Sequence, residues 1–435
     1  MAFTGIVVSV KNVILMSFTV LSLFLLLSDY VDAKPRSRPV SGPDMFIGKN
    51  LALDKLLPGE KIINVLNFKA KPDGVTDCTQ AFMTAWRTVC NSPQQARLYV
   101  PPGKYYVSSM FFSGPCKSPQ AITIRVDGTI LASTDPSEYV NGEWLIFTDI
   151  KGLKLIGPGT FDGQGKDMWA ANINCENDPS PQCQRLPSSI QFNNVTHGLI
   201  QGIKSVNAMG FHIFITNSAN IRLRRLRIIA PDDSPNTDGI HLSHSINIKI
   251  SKCRIQTGDD CVSMIQGVTN VTINRVMCGP GHGFSIGSLG KYVDENEVRN
   301  IRVLNCSMVG TTNGVRIKTW PGRYPGAASQ IKFSHIVMDN VKNPIVIDQE
   351  YECEPAKCNK KPSLVKLSGI EISNVRGTTS SEIAVDLRCS RDQPCDHVQL
   401  NNINLKTLQP TAPTSRCLNV KPLYLGFQSP RPCSS

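Results

Sequence analysis

The chain contains 435 residues, of which 41% are hydrophobic and 18% are charged, and its formal net charge is +12. This composition is typical of a globular protein with enough apolar material for a sizeable core, so it argues against a disordered or fibrous chain. The positive charge favours a polyanionic partner, although solubility alone would also explain a charge of this size.

The N-terminus has the pattern of a secretory signal peptide. Lys11 precedes an apolar run from Val13 to Leu27, and the small residues of Val31-Asp32-Ala33 follow it. We therefore predict a signal peptide over residues 1–33 that is removed from the mature protein. The apolar run is a little short for a bilayer span, and a retained signal anchor is the alternative.

A basic, Pro-rich leader is predicted over residues 34–61, and the folded domain over residues 62–435. No later stretch is long enough and apolar enough to cross a membrane. We expect a secreted, extracellular protein with no membrane contact once the signal peptide has been removed.

One helix is predicted near the start of the domain. Asp77 is placed to cap it, and Gln80, three residues later, completes a capping-box pattern. The apolar residues that follow share one helical face, and they are Ala81, Phe82, Ala85, Trp86 and Val89.

From about residue 120 onward, long helical periodicity is missing and short strand-like units repeat instead. Each unit begins with Asn or Gln, alternates apolar and polar residues as a half-buried strand does, and recurs every 23 to 30 residues. The units are Asn220-Ile221-Arg222-Leu223, Asn247-Ile248-Lys249-Ile250, Asn270-Val271-Thr272-Ile273, Asn300-Ile301-Arg302-Val303 and Gln330-Ile331-Lys332-Phe333. Gly, Asn and Asp punctuate these units and supply turns.

Such repeats predict a solenoid of short strands, and the expected fold is all-β, a right-handed parallel β-helix. A β-sandwich or a propeller is the alternative, but propeller blades run about 40–45 residues and the repeats here are shorter and uneven. Because a solenoid needs a cap over the open end of its core, we expect the predicted helix to cap the N-terminal end.

Fifteen cysteines in a secreted chain indicate disulfides rather than a zinc site, because no pair of CxxC units occurs. Closely spaced cysteines suggest local bridges, namely Cys175–Cys183, Cys261–Cys278, Cys353–Cys358, Cys389–Cys395 and Cys417–Cys433. The odd count leaves at least one cysteine free or paired between chains. Sequons at Asn194, Asn270 and Asn305 permit N-glycans, and we expect one or two of them to be used.

Four short polar clusters stand out in the strand-rich region. They are Asn236-Thr237-Asp238, Gly258-Asp259-Asp260, Gly281-His282-Gly283 and Arg316-Ile317-Lys318. Asp238, Asp260 and His282 follow one another at a constant interval (260 − 238 = 22 and 282 − 260 = 22), which matches one structural repeat. We therefore expect the clusters to stack on one face of the solenoid, where neighbouring strands lie roughly 4.8 Å apart.

Three carboxylates, an imidazole and two cations in one patch can protonate a leaving group, activate a water and hold an acidic substrate. Neighbouring carboxylates raise one another's pKa, so one of them can stay protonated as an acid while the others serve as bases. Asp259 and Asp260 are adjacent and would face opposite ways on a regular strand. Both can serve only if Gly258 opens a bend there.

The sequence resembles the polygalacturonases of glycoside hydrolase family 28, in the plant-type branch. The matching segments are Ser234-Pro235-Asn236-Thr237-Asp238-Gly239, Thr257-Gly258-Asp259-Asp260-Cys261, Cys278-Gly279-Pro280-Gly281-His282-Gly283 and Arg316-Ile317-Lys318. The resemblance covers about residue 60 to the C-terminus. It implies a right-handed parallel β-helix that hydrolyses α-1,4-linked galacturonan with inversion and without a metal or other cofactor.

The resemblance also implies a role for each catalytic motif residue. Asp259 resembles the general acid that protonates the glycosidic oxygen. Asp238 and Asp260 resemble the pair that holds and deprotonates the attacking water, and His282 resembles the residue that supports the acid.

Arg316 and Lys318 resemble cations that bind the substrate carboxylate, and Tyr351 resembles a tyrosine that lines a sugar site. Glu352 separates Tyr351 from Cys353, whereas family members often have the tyrosine and the cysteine adjacent. The implied partner is pectic polysaccharide in the cell wall rather than nucleic acid, for which no recognised binding motif appears. We expect a monomer.

Several alternatives remain open. A rhamnogalacturonan hydrolase would share the fold, but the intact Arg316-Ile317-Lys318 counts against it. A pectate lyase would need calcium and a basic proton acceptor, and it would not explain the carboxylates. A non-catalytic pectin-binding wall protein is the third alternative. We expect internal (endo) cleavage, with exo-action as the alternative, and we expect His212, His241 and His244 to be structural.

Overall fold

A computed structural model describes residue 56 and residues 58–140, 142–171, 186–353 and 361–433. The predicted signal peptide and nearly all of the predicted leader lie outside these residues, as do Cys175, Cys183 and Cys358. The described chain contains two α-helices, α1 (Thr79–Cys90) and α2 (Lys166–Ala171), and two short 3₁₀ helices, Val65–Phe68 and Pro136–Glu138. Within the described residues, neither helix has the length and apolar character that a membrane span requires.

Strands make up the rest of the regular structure. In chain order they are β1 (Lys61–Asn64), β2 (Asp73–Asp77), β3 (Ala96–Val100), β4 (Lys104–Val107), β5 (Met110–Ser113), β6 (Ile122–Val126), β7 (Thr129–Ala132), β8 (Glu143–Thr148), β9 (Lys151–Ile156), β10 (Thr160–Asp162), β11 (Ser188–Asn193), β12 (Thr196–Gln201), β13 (Lys204–Val206), β14 (Ile213–Thr216), β15 (Arg222–Arg224), β16 (Arg227–Ile229), β17 (Ile240–Ser243), β18 (Ile246–Ser251), β19 (Arg254–Gln256), β20 (Val262–Met264), β21 (Thr269–Asn274), β22 (Met277–Cys278), β23 (Phe284–Leu289), β24 (Val298–Leu304), β25 (Ser307–Val309), β26 (Asn313–Thr319), β27 (Gly326–Val341), β28 (Asn343–Asp348), β29 (Val365–Thr379), β30 (Ile383–Arg388), β31 (Asp396–Thr407), β32 (Thr414–Leu418) and β33 (Leu423–Ser429).

The strands form three parallel ladders. The first ladder joins β1, β3, β6, β9, β12, β15, β18, β21, β24, β27, β29, β31 and β33. The second joins β2, β4, β7, β10, β13, β16, β19, β22 and β25, and it merges with the first at the long strand β27. The third is a separate sheet of β5, β8, β11, β14, β17, β20, β23, β26, β28, β30 and β32.

From β3 to β26, each coil contributes one strand to each ladder in turn, and after that the long strands β27, β29 and β31 each precede one strand of the third ladder. Every pairing among the described strands is parallel. This confirms the predicted fold class, a right-handed parallel β-helix. Such a coil buries the inward side chains of all three strands, so the core is a continuous stack along the helix axis.

The repeated Asn units explain how the coils are kept in register. Their first residues have left-handed backbone angles, with φ between 55° and 61°, a region that Asn enters at lower cost than most residues. Their last apolar residues pair in register and are buried, in the row Leu223, Ile250, Ile273, Val303 and Phe333. The sequence repeat is therefore a turn residue followed by a core residue.

Helix α1 caps the N-terminal end of the core as predicted, and its predicted apolar residues are buried. The Trp86 indole donates a hydrogen bond to the Ser113 carbonyl at 3.2 Å and packs edge-on against Phe112. The predicted capping box is wrong. Cys78 is the N-cap residue, and its side chain makes no capping hydrogen bond. Asp77 lies one residue earlier, and its carboxylate accepts a hydrogen bond from the Thr79 backbone N–H. The helix begins one residue later than a capping box at Asp77 requires.

Three predicted disulfides are confirmed, Cys261–Cys278, Cys389–Cys395 and Cys417–Cys433. Cys353 is also disulfide-bonded, but the predicted partner Cys358 lies outside the described residues. The bridge Cys90–Cys116 was not predicted, because its cysteines are 26 residues apart and meet only when α1 folds onto β5 and the loop after it. Among the described residues, Cys78, Cys253 and Cys306 are free and buried. The sequon residues Asn194, Asn270 and Asn305 are exposed, and their glycosylation stays a prediction.

Candidate active site

The four polar clusters meet on the third ladder. Asp238, Asp260 and His282 each lie two residues before a strand, β17, β20 and β23 respectively, and Arg316 and Lys318 lie within β26. These four strands are consecutive neighbours in the ladder. The prediction that one 22-residue interval equals one coil is therefore confirmed.

A bend at Gly258 and Asp259 lets two adjacent aspartates serve one site. A side chain at Gly258 would place its Cβ 2.1 Å from the Ser234 carbonyl oxygen, so the close approach of these two loops requires glycine. The Asp260 backbone N–H donates to the Asp259 carboxylate at 2.7 Å, which fixes the bend. The bend that the sequence required is present.

Asp260 is held as a carboxylate by two cations. It is buried, and its oxygens accept from the Arg316 guanidinium at 2.8 Å, from the Lys318 ammonium at 3.0 Å and from the Ser285 hydroxyl at 2.6 Å. Burial alone would raise the pKa of Asp260, but the charges of Lys318 and Arg316 outweigh it and hold the pKa below the ordinary aspartate range. Asp260 is therefore ionised at neutral pH.

Asp238 has the opposite character. It is buried, and one of its oxygens accepts from the Ser263 hydroxyl at 2.6 Å and lies 2.9 Å from His241 Nδ1. Burial, and then the negative charges of Asp259 and Asp260, raise the pKa of Asp238 well above its ordinary value. Asp238 and Asp260 thus differ in proton affinity, as acid–base catalysis by a group of carboxyls requires.

Asp259 is the most accessible of the three carboxylates. Its side chain is 20% exposed, against 7% for Asp238 and 2% for Asp260. It lies 3.0 Å from Nδ1 of His282, whose side chain is 38% exposed. Of the three, Asp259 is the carboxyl group that a large substrate can reach most directly.

Aromatic rings cover the cationic end of the site. The Tyr351 ring centroid lies 5.0 Å from the Lys318 ammonium and 6.0 Å from the Arg316 guanidinium. Trp320 packs edge-on against Tyr351 at 5.4 Å, and the Arg323 guanidinium lies 4.0 Å above the indole. Burial raises the pKa of the Tyr351 phenol, so the hydroxyl is a hydrogen-bond donor rather than a phenolate. The structure thus brings all seven predicted site residues together.

Three contact residues were missed in the sequence. His241, Ser263 and Ser285 occupy one row of the ladder, in register with each other and with Arg316, and they hydrogen-bond the aspartates or Arg316. A signal was present, because each stands three residues after Asp238, Asp260 or His282 (241 − 238, 263 − 260 and 285 − 282 all equal 3). His241, which was expected to be structural, lies in hydrogen-bond contact with Asp238.

The side chains of the other two histidines that were expected to be structural contact serine hydroxyls, and the backbone N–H of His212 donates to the Asp238 backbone carbonyl at 2.9 Å. His212 is fully buried, its Nδ1 lies 2.8 Å from the Ser205 hydroxyl, and burial lowers its pKa to about 3, so it is neutral. The exposed His244 contacts the Ser243 hydroxyl at 2.7 Å.

One group of side chains could in principle hold a metal ion. Asp259, Asp260 and His282 each offer a ligand atom, and these atoms lie within 4.8 Å of one another. Asp260 is already paired with two cations, however, which leaves little net negative charge for a divalent ion. The donor set suits proton transfer better than metal binding.

Comparison with known proteins identifies the family. The family model described as glycosyl hydrolases family 28 matches residues 90–432. A polygalacturonase of Gossypium barbadense is 45% identical over 371 residues, which is 85% of this chain and 90% of that protein. An exopolygalacturonase of Platanus acerifolia is 42% identical over 371 residues, which is 85% of this chain and 97% of that protein.

Among solved structures, the endo-xylogalacturonan hydrolase of Aspergillus tubingensis superposes with a TM-score of 0.74 at 22% identity, covering 85% of this chain and 99% of that one. At this identity the likeness supports the fold alone. The family match and the two plant relatives, together with the assembled carboxylates, show that the chain belongs to glycoside hydrolase family 28 and is similar to its plant polygalacturonases.

Proposed function

We propose that the protein is a secreted hydrolase that cleaves α-1,4-galacturonosyl linkages in the homogalacturonan of pectin and so modifies the cell wall. One observation carries this proposal. Two cations, Arg316 and Lys318, hold Asp260 ionised beside two further carboxyl groups, at the floor of a site lined by Tyr351. Carboxyl groups supply the acid and base of glycoside hydrolysis, and the cations favour an acidic sugar over a neutral one.

Asp259 is proposed as the general acid. It is the most accessible of the carboxyl groups, and His282 lies within hydrogen-bond distance to orient it. Its proton passes to the glycosidic oxygen as the bond from that oxygen to the anomeric carbon breaks, and the leaving sugar departs with a free hydroxyl.

Asp238 and Asp260 are proposed to hold the attacking water. The raised pKa of Asp238 makes it the stronger base of the two, so it accepts the water proton as the oxygen bonds to the anomeric carbon. Asp260, whose pKa is lowered by its two cations, is too weak a base for that step and instead positions the water through a hydrogen bond. After the products leave, Asp238 releases the water's proton to solvent and Asp259 takes one up, which restores the starting protonation of both groups.

Arg316, Lys318 and Tyr351 are proposed to bind the substrate. Both cations are already bonded to Asp260, so a substrate carboxylate would share them rather than meet free charges. The Tyr351 ring lies over Lys318 and presents an apolar face on which a sugar ring can pack.

The stereochemical course is proposed to be inversion. Inverting enzymes separate acid and base by about 6.5–9.5 Å, whereas retaining enzymes place them about 5–5.5 Å apart. The proposed acid and base are Asp259 and Asp238. One oxygen of Asp259 and one of Asp260 lie within 4.8 Å of each other, a spacing closer to the retaining arrangement, in which Asp260 would be the nucleophile. The two ion pairs on Asp260 argue against that role, because they stabilise its charge and weaken it as a nucleophile.

Incubation of the purified protein with demethylated polygalacturonate, with and without a chelator, tests the reaction. We expect new reducing ends in both cases, and proton NMR at early times should show a β-anomeric end released from the α-linkage. An α-anomeric first product would establish retention. Ultraviolet-absorbing unsaturated products would establish a lyase, and binding without turnover would establish a non-catalytic wall protein.

Asp259→Asn tests the general acid. Because general acid–base catalysis contributes about 10²–10⁴-fold, we expect kcat to fall by at least that factor with little change in KM. Asp396→Asn serves as the control, since Asp396 is an exposed aspartate that pairs with His397 on the first ladder. An Asp259→Asn protein that keeps more than about a tenth of the wild-type kcat would remove Asp259 from this role.

Internal cleavage is proposed as the mode of action, and exo-action is the second candidate because the similar Platanus protein is named an exopolygalacturonase. Sizing the products from a defined galacturonan oligomer over time separates the two. Endo-action gives intermediate lengths first, and exo-action gives one short product throughout. We further propose that the protein acts as a monomer, which size-exclusion chromatography with light scattering would check.

A further inference from the structure

A second groove lies on the first ladder, on a different sheet from the carboxylates. It has a volume of about 600 Å³ and crosses six consecutive strands of that ladder, β9, β12, β15, β18, β21 and β24. Five cations line it, and we call it the basic groove. They are Lys154, Arg222, Arg224, Lys249 and Arg302.

The strand register sets four of these cations in a single row. In the order of the strands, the row reads Lys154, Leu199, Arg222, Lys249, Thr272 and Arg302. Neighbouring strands lie about 4.8 Å apart, so the row of six positions extends roughly 24 Å along the solenoid. The spacing gives a linear array of positive charge, with Arg224 beside it on β15.

The turn asparagines form one side of the basic groove. Asn247 donates a side-chain hydrogen bond to Asn220 at 3.2 Å, and Asn300 donates one to Asn270 at 2.7 Å. All four asparagines line the groove, and a side-chain amide has more donor and acceptor sites than one such hydrogen bond uses. Hydroxyl groups of a sugar chain would find hydrogen-bond partners along this side.

The cations of the basic groove have no acidic partner within the described part of the chain. The next cations beyond each end of the groove, on the same ladder, do have one. Arg97, two strands before Lys154, pairs with Glu60 at 2.9 Å, and Lys332, the strand after Arg302, pairs with Glu371 at 2.7 Å. Arg224 hydrogen-bonds only the neutral Gln201. Burial, and then the nearby positive charges of Arg225 and Arg222, lower the pKa of Arg224, as uncompensated charge does.

We propose that the basic groove is a second binding site for acidic polysaccharide, which holds a galacturonan chain on a face away from the catalytic carboxylates. This rests on the proposed function only for the identity of the polyanion. A linear array of cations matches carboxylates spaced along a polymer, and the asparagines match its hydroxyls. A nucleic acid fits less well, because the described lining has no Phe, Tyr or Trp on which bases could stack.

Such a site would keep the protein on the polymer between catalytic events. A chain held in the basic groove raises the effective concentration of its other segments, and those of neighbouring chains, near the active site. Short oligomers cannot engage both sites, so the groove should matter for polymer and not for short oligomers.

The test compares two triple variants that lose the same charge. Arg222→Gln, Lys249→Gln and Arg302→Gln together remove the groove charges. Lys366→Gln, Arg376→Gln and Lys406→Gln together remove three exposed cations from later coils and serve as the control. Affinity for polygalacturonate is measured by affinity electrophoresis at several salt concentrations, with Asp259→Asn added to all proteins to prevent cleavage.

We expect the groove variant to bind polygalacturonate about tenfold more weakly than wild type and to depend less on salt, whereas the control variant changes less than about twofold. Without Asp259→Asn, the groove variant should show a raised KM on polymer and unchanged kinetics on a short galacturonan oligomer. Because Asn270 lies in the groove and begins a sequon, the proteins are made in a bacterial periplasm, where disulfides form and this sequon stays bare.

Three results would overturn the inference. Unchanged polymer binding by the groove variant would show that the groove takes no galacturonan. Equal losses in both triple variants would show an effect of net charge alone. Tighter binding of double-stranded DNA than of polygalacturonate at the same salt, lost in the groove variant, would assign the groove to another polyanion. Failure of the proposed function is distinguishable, since groove-dependent binding would then persist without hydrolysis.

Discussion

Replacing Lys318 by Met tests how the cations act. The change removes an ammonium group that lies 3.0 Å from Asp260 and whose side chain is only 9% exposed, while it keeps an unbranched apolar side chain in place. Removing one partner of a buried ion pair typically costs about 3–5 kcal/mol. Because Arg316 and Ser285 still bond the same carboxylate, we expect a smaller loss of unfolding free energy, about 2 kcal/mol.

The size of this loss should depend on pH. The charges of Lys318 and Arg316 lower the folded-state pKa of Asp260 despite its burial. A carboxyl group with a depressed folded pKa stabilises the protein above its unfolded pKa of about 3.9, and this contribution disappears as the pH falls through and below that value. The difference in melting temperature between wild type and Lys318→Met should therefore be largest near neutral pH and shrink below about pH 4.

A double-mutant cycle separates the structural role from the binding role. In an Asp260→Asn background, Lys318→Met should cost much less stability, because no carboxylate remains to be left unpaired. In the otherwise wild-type protein, Lys318→Met should raise KM on galacturonan by roughly tenfold, and a fully methyl-esterified oligomer serves as the control substrate. Thermal unfolding and initial rates provide the two readouts.

Two results would refute this reasoning. If the two substitutions have additive effects on melting temperature, Lys318 does not act on stability through Asp260. If Lys318→Met alters KM equally on the charged and the esterified substrate, recognition of the sugar carboxylate lies elsewhere, and the preference for homogalacturonan loses its physical basis.

Two further substitutions probe the neighbouring contacts. Ser263→Ala removes a hydrogen-bond donor that favours the ionised form of Asp238, so the pKa of Asp238 should rise further. The acidic limb of the pH profile of kcat/KM should then move to higher pH. If that limb does not move, Asp238 is not the base. Gly258→Ala would force a Cβ against the Ser234 carbonyl oxygen. We therefore expect the free energy of unfolding to fall by about 1–3 kcal/mol and kcat to be reduced. An unchanged melting temperature and an unchanged kcat would contradict this.

Much of this architecture could be predicted because each coil of a solenoid repeats the same pattern of turn and core residues in the sequence. The apolar residue of each Asn unit returns to the same place in the core, so Leu223, Ile250 and Ile273 reveal the repeat directly. The same logic placed Asp238 and Asp260 in adjacent coils, and only the bend at Gly258 needed the structure for confirmation.

Other features could not be predicted, because they depend on what a side chain meets after folding. The length of Lys318 lets it reach back two strands to Asp260, and nothing in its own segment indicates that target. The start of α1 was set by Cys78 rather than Asp77, a choice between adjacent residues that capping statistics do not resolve. The net charge of +12 indicated a polyanion, but the face that carries it follows from the register, not from composition.

Three carboxylates in one site would repel an acidic polymer, and the charges around the carboxylates and in the basic groove both reduce this repulsion. Arg316 and Lys318 offset the charge of Asp260, and the raised pKa of Asp238 lowers the cost of its carrying a proton. Asp259 pairs with His282 rather than with a Lys or an Arg, and it is the carboxyl group proposed to be protonated when it acts. An acidic polymer would therefore meet less net negative charge at the proposed catalytic site than three unpaired carboxylates would present, and the proposed role of the basic groove is to add attraction at longer range.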